Sequence, residues 1–310
     1  MTSVKSSFPR LAFSLTSADS ISDLLNLGAE AEAIGFDEIW TAEVPGVDPL
    51  LLSSMLLRET QKIVVGVGVV AIAARSATSL SITTGMISDL TPQRFRLGIG
   101  TSSPFINKRW HGVEIGPPIS AIERYLIHIR TLLNGESYIV EPYRVKLRSI
   151  DESTPLYLGA LGPEMIRLSN KLADGIVTVF ATSKWLTGVR DHLISDERDI
   201  PSELDIVTRV FLPIPGDDPA AVNAVKSIVA QYSTVPSYAA HFSRLGYAEQ
   251  IKIVAMHQSA RQFEDAINAI PDELLADIAP LGSVHDQIKW LINLTQSGCN
   301  SLAIAFVTSG

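Results

Sequence analysis

One cysteine, Cys299, stands in a chain of 310 residues. A lone thiol excludes an internal disulfide framework and a thiolate metal cluster, and it fits a reducing compartment. Long apolar runs are missing as well. No stretch nears the roughly 18 consecutive apolar residues of a membrane span, and the opening MTSVKSSFPRLAFSLT lacks the apolar core of a signal peptide. Basic residues are in short supply: 25 Lys and Arg against 33 Asp and Glu leave a formal charge of −8, which argues against a nucleic-acid-binding stripe. The expectation is a cytoplasmic protein that meets neither nucleic acid nor membrane.

Several chemical signatures are absent too. There is no G-x-x-x-x-G-K-S/T loop for nucleoside triphosphates and no G-x-S-x-G elbow for a nucleophilic serine. The six histidines, His111, His128, His192, His241, His257 and His285, show no H-x-H or H-x-x-x-H spacing, so no metal is expected. An anionic ligand is still open, because backbone amides at a helix N-terminus bind phosphate without net positive charge.

What is present is alternation. Apolar residues make up 46% of the chain, ample for a large core, and they fall into short runs separated by helical periodicity. Leu11–Leu15, Asp37–Ala42, Ile63–Val70, Phe95–Ile99, Leu156–Leu158, Ile176–Val179, Ile206–Leu212 and Leu302–Val307 read as strands. Ile63–Val70 is β-branched with no polar alternation, as a parallel strand covered on both faces should be. Helices follow the strands, the first capped by Asp19 or Ser20 and ended by Gly35. Ser137–Leu147 reads as a small hairpin. The first strand has no G-x-G-x-x-G turn behind it, which disfavours a doubly wound sheet. Eight such units predict one (β/α)8 TIM-barrel domain over 1–310, with extra helices inserted at about 236–282 before the last βα unit.

Ligands of such barrels sit at the C-terminal ends of the strands. Those ends carry Trp40-Thr41-Ala42-Glu43, then Gly68-Val69-Val70 with Arg75 beyond, then Gly100-Thr101-Ser102, then Gly159-Ala160-Leu161-Gly162-Pro163 opening a helix. The last segment offers bare amides at the positive end of a helix dipole, where a phosphate is at home. The same residues also suit a tight turn with no ligand. Small residues around Gly100 let a flat ring lie near the backbone, and glycines in the third strand mark either a bulge or a close approach. Glu43 either bonds a ligand or caps the next helix.

At these positions the chain resembles the luciferase-like monooxygenase superfamily, in particular its coenzyme F420-dependent oxidoreductases. The resemblance rests on AEAIGFDEIWTAE, VVGVGVV with ARSAT, RFRLGIGTSSP followed by WHGVEIGPP, and PLYLGALGPEMIRLSNKLADGIV. It implies hydride transfer between the deazaflavin F420 and a small organic substrate (a CH–OH, C=C or C=N compound), in a homodimer. It implies a cis peptide at Gly68-Val69 or a neighbouring bond. It also implies a phosphate held around Ala160-Leu161-Gly162, with Thr101 or Ser102 and Phe180-Ala181-Thr182 contributing. Trp40 either flanks the ring or fills the core. Glu43 and His111 are the candidate acid/base groups. Two departures stand out: Arg75-Ser76-Ala77 replaces the Arg-His-Pro common in relatives, and no histidine accompanies Glu43. FMN in a two-component monooxygenase is the nearest alternative, and a cofactor-free ligand-binding barrel is the other.

Overall fold

Each apolar run becomes a strand because β-branched residues suit a pleated surface and both faces find cover. The computed structural model describes residues 9–16, 20–147, 154–195 and 204–308. The strands are β1 (Arg10–Ser14), β2 (Glu38–Thr41), β3 (Val64–Ala71), β4 (Phe95–Gly100), β7 (Leu156–Gly159), β8 (Gly175–Val179), β9 (Asp205–Pro213) and β10 (Ser301–Val307), while β5 (Ser137–Val140) and β6 (Tyr143–Lys146) form the separate hairpin. The eight close into a barrel in the order β1-β10-β9-β8-β7-β4-β3-β2. Every strand thus lies beside its neighbours in sequence, as the alternation predicts.

The helices are α1 (Ile21–Ile34), α2 (Pro49–Glu59), α3 (Ala77–Leu90), α4 (Pro104–Arg109), α5 (Pro118–Leu133), α6 (Pro163–Leu172), α7 (Ser183–Ser195), α8 (Pro219–Ser233), α9 (Pro236–Phe242), α10 (Ala248–Ser259), α11 (Phe263–Asn268), α12 (Asp272–Ile278) and α13 (Val284–Gln296). Short polar side chains start many of them: Ser20 accepts from the amide of Asp23, Asp48 from those of Leu50 and Leu51, and Ser283 forms a reciprocal box with Asp286. Asp19, the other candidate cap, lies outside the described residues. Gly35 ends α1 at φ +99°, where a side chain would be strained. Between β4 and α5 lies α4, too short for a helical period to show in the sequence. Between α8 and α13 run α9 to α12, with a kinked π-type turn at Ser243–Tyr247 that Gly246 permits at φ +106°. Among the described residues no helix is long and apolar enough to cross a membrane.

The chain divides into two compact units, one of Leu11–Val177 with Glu203–Asp205, the other of Met1–Arg10, Thr178–Ser202 and Ile206–Gly310. In the first, Val65 and Val67 alternate with Gly66 and Gly68 along β3, so the valines take one face and the glycines the other. Leu56, Leu80, Ile122, Leu126 and Ile129 of α2, α3 and α5 are fully buried, each contributing about 1.5–3 kcal/mol. In the second, β9 and β10 pair without a register break from Val207 opposite Ser301 to Pro213 opposite Val307. Val225, Val229, Phe242, Val254 and Leu274 form that unit's helical core.

Candidate active site

The first unit builds its site upward from a polar layer. Glu38, fully buried, forms an ion pair with Arg96 and accepts the indole N–H of Trp40 at 2.8 Å. Arg96 lies 4.0 Å from Asp205, which accepts the hydroxyl of Tyr157 at 2.6 Å. Burial and then the Asp205 charge push the Tyr157 phenol far up, so it stays protonated and donates. Trp40 meets Tyr157 edge-on at 5.2 Å and is only 3% exposed. Its ring is why β3 carries glycines: a Cβ at Gly66 would lie 2.7 Å from the indole, and one at Gly68 3.2 Å from it. Trp40 therefore fills the core beneath the strand ends.

Above this layer β3 bulges. Val67 stands opposite Leu97 and Val70 opposite Ile99, so Gly68 and Val69 share the single partner Gly98. The Gly68-Val69 peptide is cis, at the first of the bonds the resemblance indicated. Val69 is half-buried and its side chain runs over a ring of glycines. A Cβ on Gly98 would lie 2.2 Å from the Val67 carbonyl oxygen, one on Gly100 2.6 Å from Val69 Cγ2, and one on Gly159 3.4 Å from Val69 Cγ1. Bare backbone around one small side chain makes a ledge against which a flat ring can lie.

Polar groups edge the strand ends of the same unit. Ala42 and Glu43 are half-buried, and the Glu43 carboxylate accepts the backbone N–H of Ala71 at 2.8 Å. The cap of α2 is Asp48, so Glu43 is held at the end of β3 instead. Arg75 pairs with Asp48, and its carbonyl accepts the Tyr125 hydroxyl at 2.8 Å. Burial pushes the Tyr125 phenol well up, with Arg75 pulling it down and Glu43 pushing it further up, which places the three side chains within electrostatic reach. After β4, Thr101 and Ser102 are half-buried, and Ser102 adopts φ +55°. The amide of Asn107 donates to the Thr101 carbonyl at 2.8 Å. Asn107 Oδ1, His111 Nε2 and Arg75 Nε are buried with no hydrogen-bond partner among the described residues. Such atoms in a polar loop are open to a ligand.

The segment after β7 is divided in its use. The Ala160 N–H donates to the Val177 carbonyl at 3.1 Å, so that amide belongs to the barrel ladder. Gly162 is the N-cap of α6 with no side-chain cap, and Pro163 follows at the first position. The amides of Gly162, Glu164 and Met165 stand at this helix end, where the dipole favours an anion.

In the second unit, Phe180 at φ +55° and Ala181 are 2% and 1% exposed. Thr182 Oγ1 accepts the Trp185 amide at the start of α7. The Phe180 ring packs on Phe211, Tyr232, Tyr238 and Phe242, with centroids 5.1–6.3 Å apart, and its carbonyl lies 3.0 Å from His241 Nε2. Sequence reasoning missed this cluster, together with Arg209, whose guanidinium lies 5.0 Å from the Phe211 ring. The signal was a single cation inside the apolar run IVTRVFL. Among the described residues, no group of three His, Cys, Asp or Glu side chains is arranged for a metal ion.

A family model described as luciferase-like monooxygenase matches residues 2–301. A protein of Mycobacterium tuberculosis named as a coenzyme F420-dependent oxidoreductase is 24% identical over 310 aligned positions, spanning 90% of this chain and 89% of its own. The solved structure of the coenzyme F420 dependent tetrahydromethanopterin reductase from Methanopyrus kandleri is similar at a TM-score of 0.79 and 17% identity, over 96% of this chain and 93% of that one. The oxygenating constituent of 3,6-diketocamphane monooxygenase from Pseudomonas putida, solved with FMN, is similar at 0.65 and 12%, over 97% and 92%.

Proposed function

The chain belongs to the luciferase-like monooxygenase family, and from that premise we propose that it is an oxidoreductase using the deazaflavin coenzyme F420 to move a hydride to or from a small organic substrate. The single observation that carries the reading is the ledge: the β3 bulge seats the small Val69 side chain against Gly98, Gly100 and Gly159, where no Cβ could stand beside it without something shifting at Gly98 and Gly100. Its shape suits the flat ring of a deazaflavin, and the relatives named as F420-dependent favour that ring over a flavin.

When bound, the deazaflavin supplies two-electron hydride chemistry at a ring carbon. The chain's own residues position and protonate. Val69 and the glycines would hold the ring, and a fixed approach can lower a barrier by about 7 kcal/mol or more in ideal cases. The amides at the start of α6 hold the phosphate-bearing arm. Thr101 and Ser102 add hydroxyls beside it. Glu43, fixed by the Ala71 amide, keeps a carboxylate at the ledge to take or give the proton that balances the hydride. His111 is the second proton candidate. The homodimer implied by the resemblance belongs to the same reading.

Side-by-side titration with oxidised F420 and with FMN, followed by ligand fluorescence quenching, tests this. Micromolar or tighter binding of F420, with FMN weaker by about tenfold or more, is expected. A preference for FMN moves the protein to the two-component monooxygenases. Binding of neither leaves a cofactor-free barrel and ends the F420 reading.

A further inference from the structure

The stretch between β4 and α5 is bonded mainly to itself. Ser103 Oγ accepts the Ile106 amide at 3.1 Å, the Val113 amide donates to the Asn107 carbonyl at 3.0 Å, and Lys108 pairs with Glu114 at 2.9 Å. The Asn107 side chain roots the segment by donating to the Thr101 carbonyl at 2.8 Å. Among the described residues, no other hydrogen bond or ion pair ties 103–116 to the rest of its unit. A segment with so few outside bonds can move as a body at little cost.

Its two ends carry left-handed backbone: Ser102 at φ +55°, then Gly112 at +67° and Gly116 at +72°. A Cβ at either glycine would meet nothing within 4 Å, so both serve the backbone and not the packing. Such positions absorb the dihedral change of a hinge, and Pro117-Pro118 behind them hold φ fixed. What the segment shows to solvent is apolar. Phe105 is 67% exposed, Trp110 50% and Val113 40%, and rings left in water gain from any surface that covers them. His111 Nε2, in the same segment, is buried with no hydrogen-bond partner among the described residues, a second sign of a ligand. The covering surface is close by in the chain, since the segment leaves β4 directly after Gly100, part of the ledge.

Resting on the oxidoreductase reading above, we propose that residues 102–116 form a lid hinged at Ser102 and at Gly112 with Gly116, which lowers Phe105 and Trp110 onto a ligand held against Val69 and the glycines. The two rings contact an unsaturated or apolar face of that ligand, so the lid favours flat or apolar molecules over small polar ones. Closure drives water from the ledge and sets how long the ligand stays.

The test uses the full-length protein with F420, and with FMN in parallel. In wild type, trypsin cleavage after Lys108 and Arg109, both exposed, should slow about tenfold or more once F420 is saturating. Phe105→Ser combined with Trp110→Ser removes side chains that lie largely in solvent, so the thermal midpoint should stay within about 2 °C of wild type. The same double variant should release F420 about tenfold faster or more in stopped-flow fluorescence. A folded double variant with the wild-type release rate overturns the proposal, as does wild-type cleavage that saturating F420 leaves unchanged. FMN that binds and protects where F420 does not would uphold the lid and end only the F420 reading. Binding of neither, seen directly in the titration, ends the oxidoreductase reading and the lid with it.

Discussion

Val69 Cγ2 occupies the space where a side chain on Gly100 would begin, since a Cβ built there would lie only 2.6 Å away. The neighbouring Gly98 faces a harder obstacle, the Val67 carbonyl oxygen at 2.2 Å from its own would-be Cβ. A rotatable side chain can yield, and a backbone carbonyl in a strand ladder can do so only by moving the strand. Gly98→Ala should therefore destabilise the protein by about 1–3 kcal/mol, and Gly100→Ala by clearly less. Gly100→Ala should instead lower F420 affinity several-fold, because Val69 must swing across the ledge. Urea unfolding and cofactor titration of both variants decide; equal losses of stability would show that the bulge yields as readily as a side chain.

At the start of α6, stability and affinity should part company. Gly162 is an uncapped N-cap in extended conformation, a position that aspartate suits. Gly162→Asp should hold or raise stability by roughly a few tenths of a kcal/mol, while its carboxylate takes the amides and repels a phosphate. F420 affinity should fall about tenfold or more. A folded variant that binds F420 like the wild type would remove the phosphate from this helix.

Glu43→Gln keeps an acceptor for the Ala71 amide and removes the charge and the proton site. The expected result is a loss in kcat of about 10²–10⁴-fold with F420 affinity little altered. His111→Asn is the matched control. Should Glu43→Gln turn over at the wild-type rate while His111→Asn fails, the proton role passes to His111.

Beneath the ledge, Arg96 is the ion-pair partner of a fully buried carboxylate. Arg96→Met breaks this buried ion pair and should cost about 3–5 kcal/mol. Adding Glu38→Gln should recover part of the loss, so the two changes will not be additive. Additive effects in chemical denaturation would mean that the pair is not coupled.

Acid stability should carry a mark from Glu32. Burial alone would raise its pKa, yet the amides of Ile63, Lys62 and Gln61, with Arg94, outweigh burial and hold it below the ordinary glutamate value of 4.5. A carboxylate depressed by folding stabilises the native state above its unfolded pKa, and the contribution disappears as pH falls through the folded one. Glu32→Gln should therefore flatten the fall in unfolding free energy below about pH 5 and leave the slope near neutrality untouched. Identical pH profiles for variant and wild type would rule this out.

How much of this was legible beforehand follows the range of each interaction. The barrel is local information repeated: each strand is an apolar run and each helix a period, and the eight runs all became barrel strands. Helix α4 escaped because six residues hold less than two turns. The glycines of β3 and β4 could be read as glycines, but the bulge depends on how Val67 and Val70 register against β4, which one strand alone does not encode. Glu43 was visible as a carboxylate, while its partner Ala71 lies 28 residues away. Ala160, Leu161 and Gly162 read as one run of amides, yet the ladder takes the first for Val177. Arg209 was visible as a cation in an apolar strand, and its company from α8 and α9 was not.

A ledge made from hydrogens in place of side chains has little to vary. Any substitution at Gly98 or Gly100 adds atoms that a neighbour must move to admit, so the proposed ring-binding surface has little room to change. On the oxidoreductase reading, novelty in what the chain accepts must then arise where side chains exist to be exchanged, as in the loop bearing His111. A laboratory lineage selected for a new substrate should accumulate its changes there and leave the glycines alone.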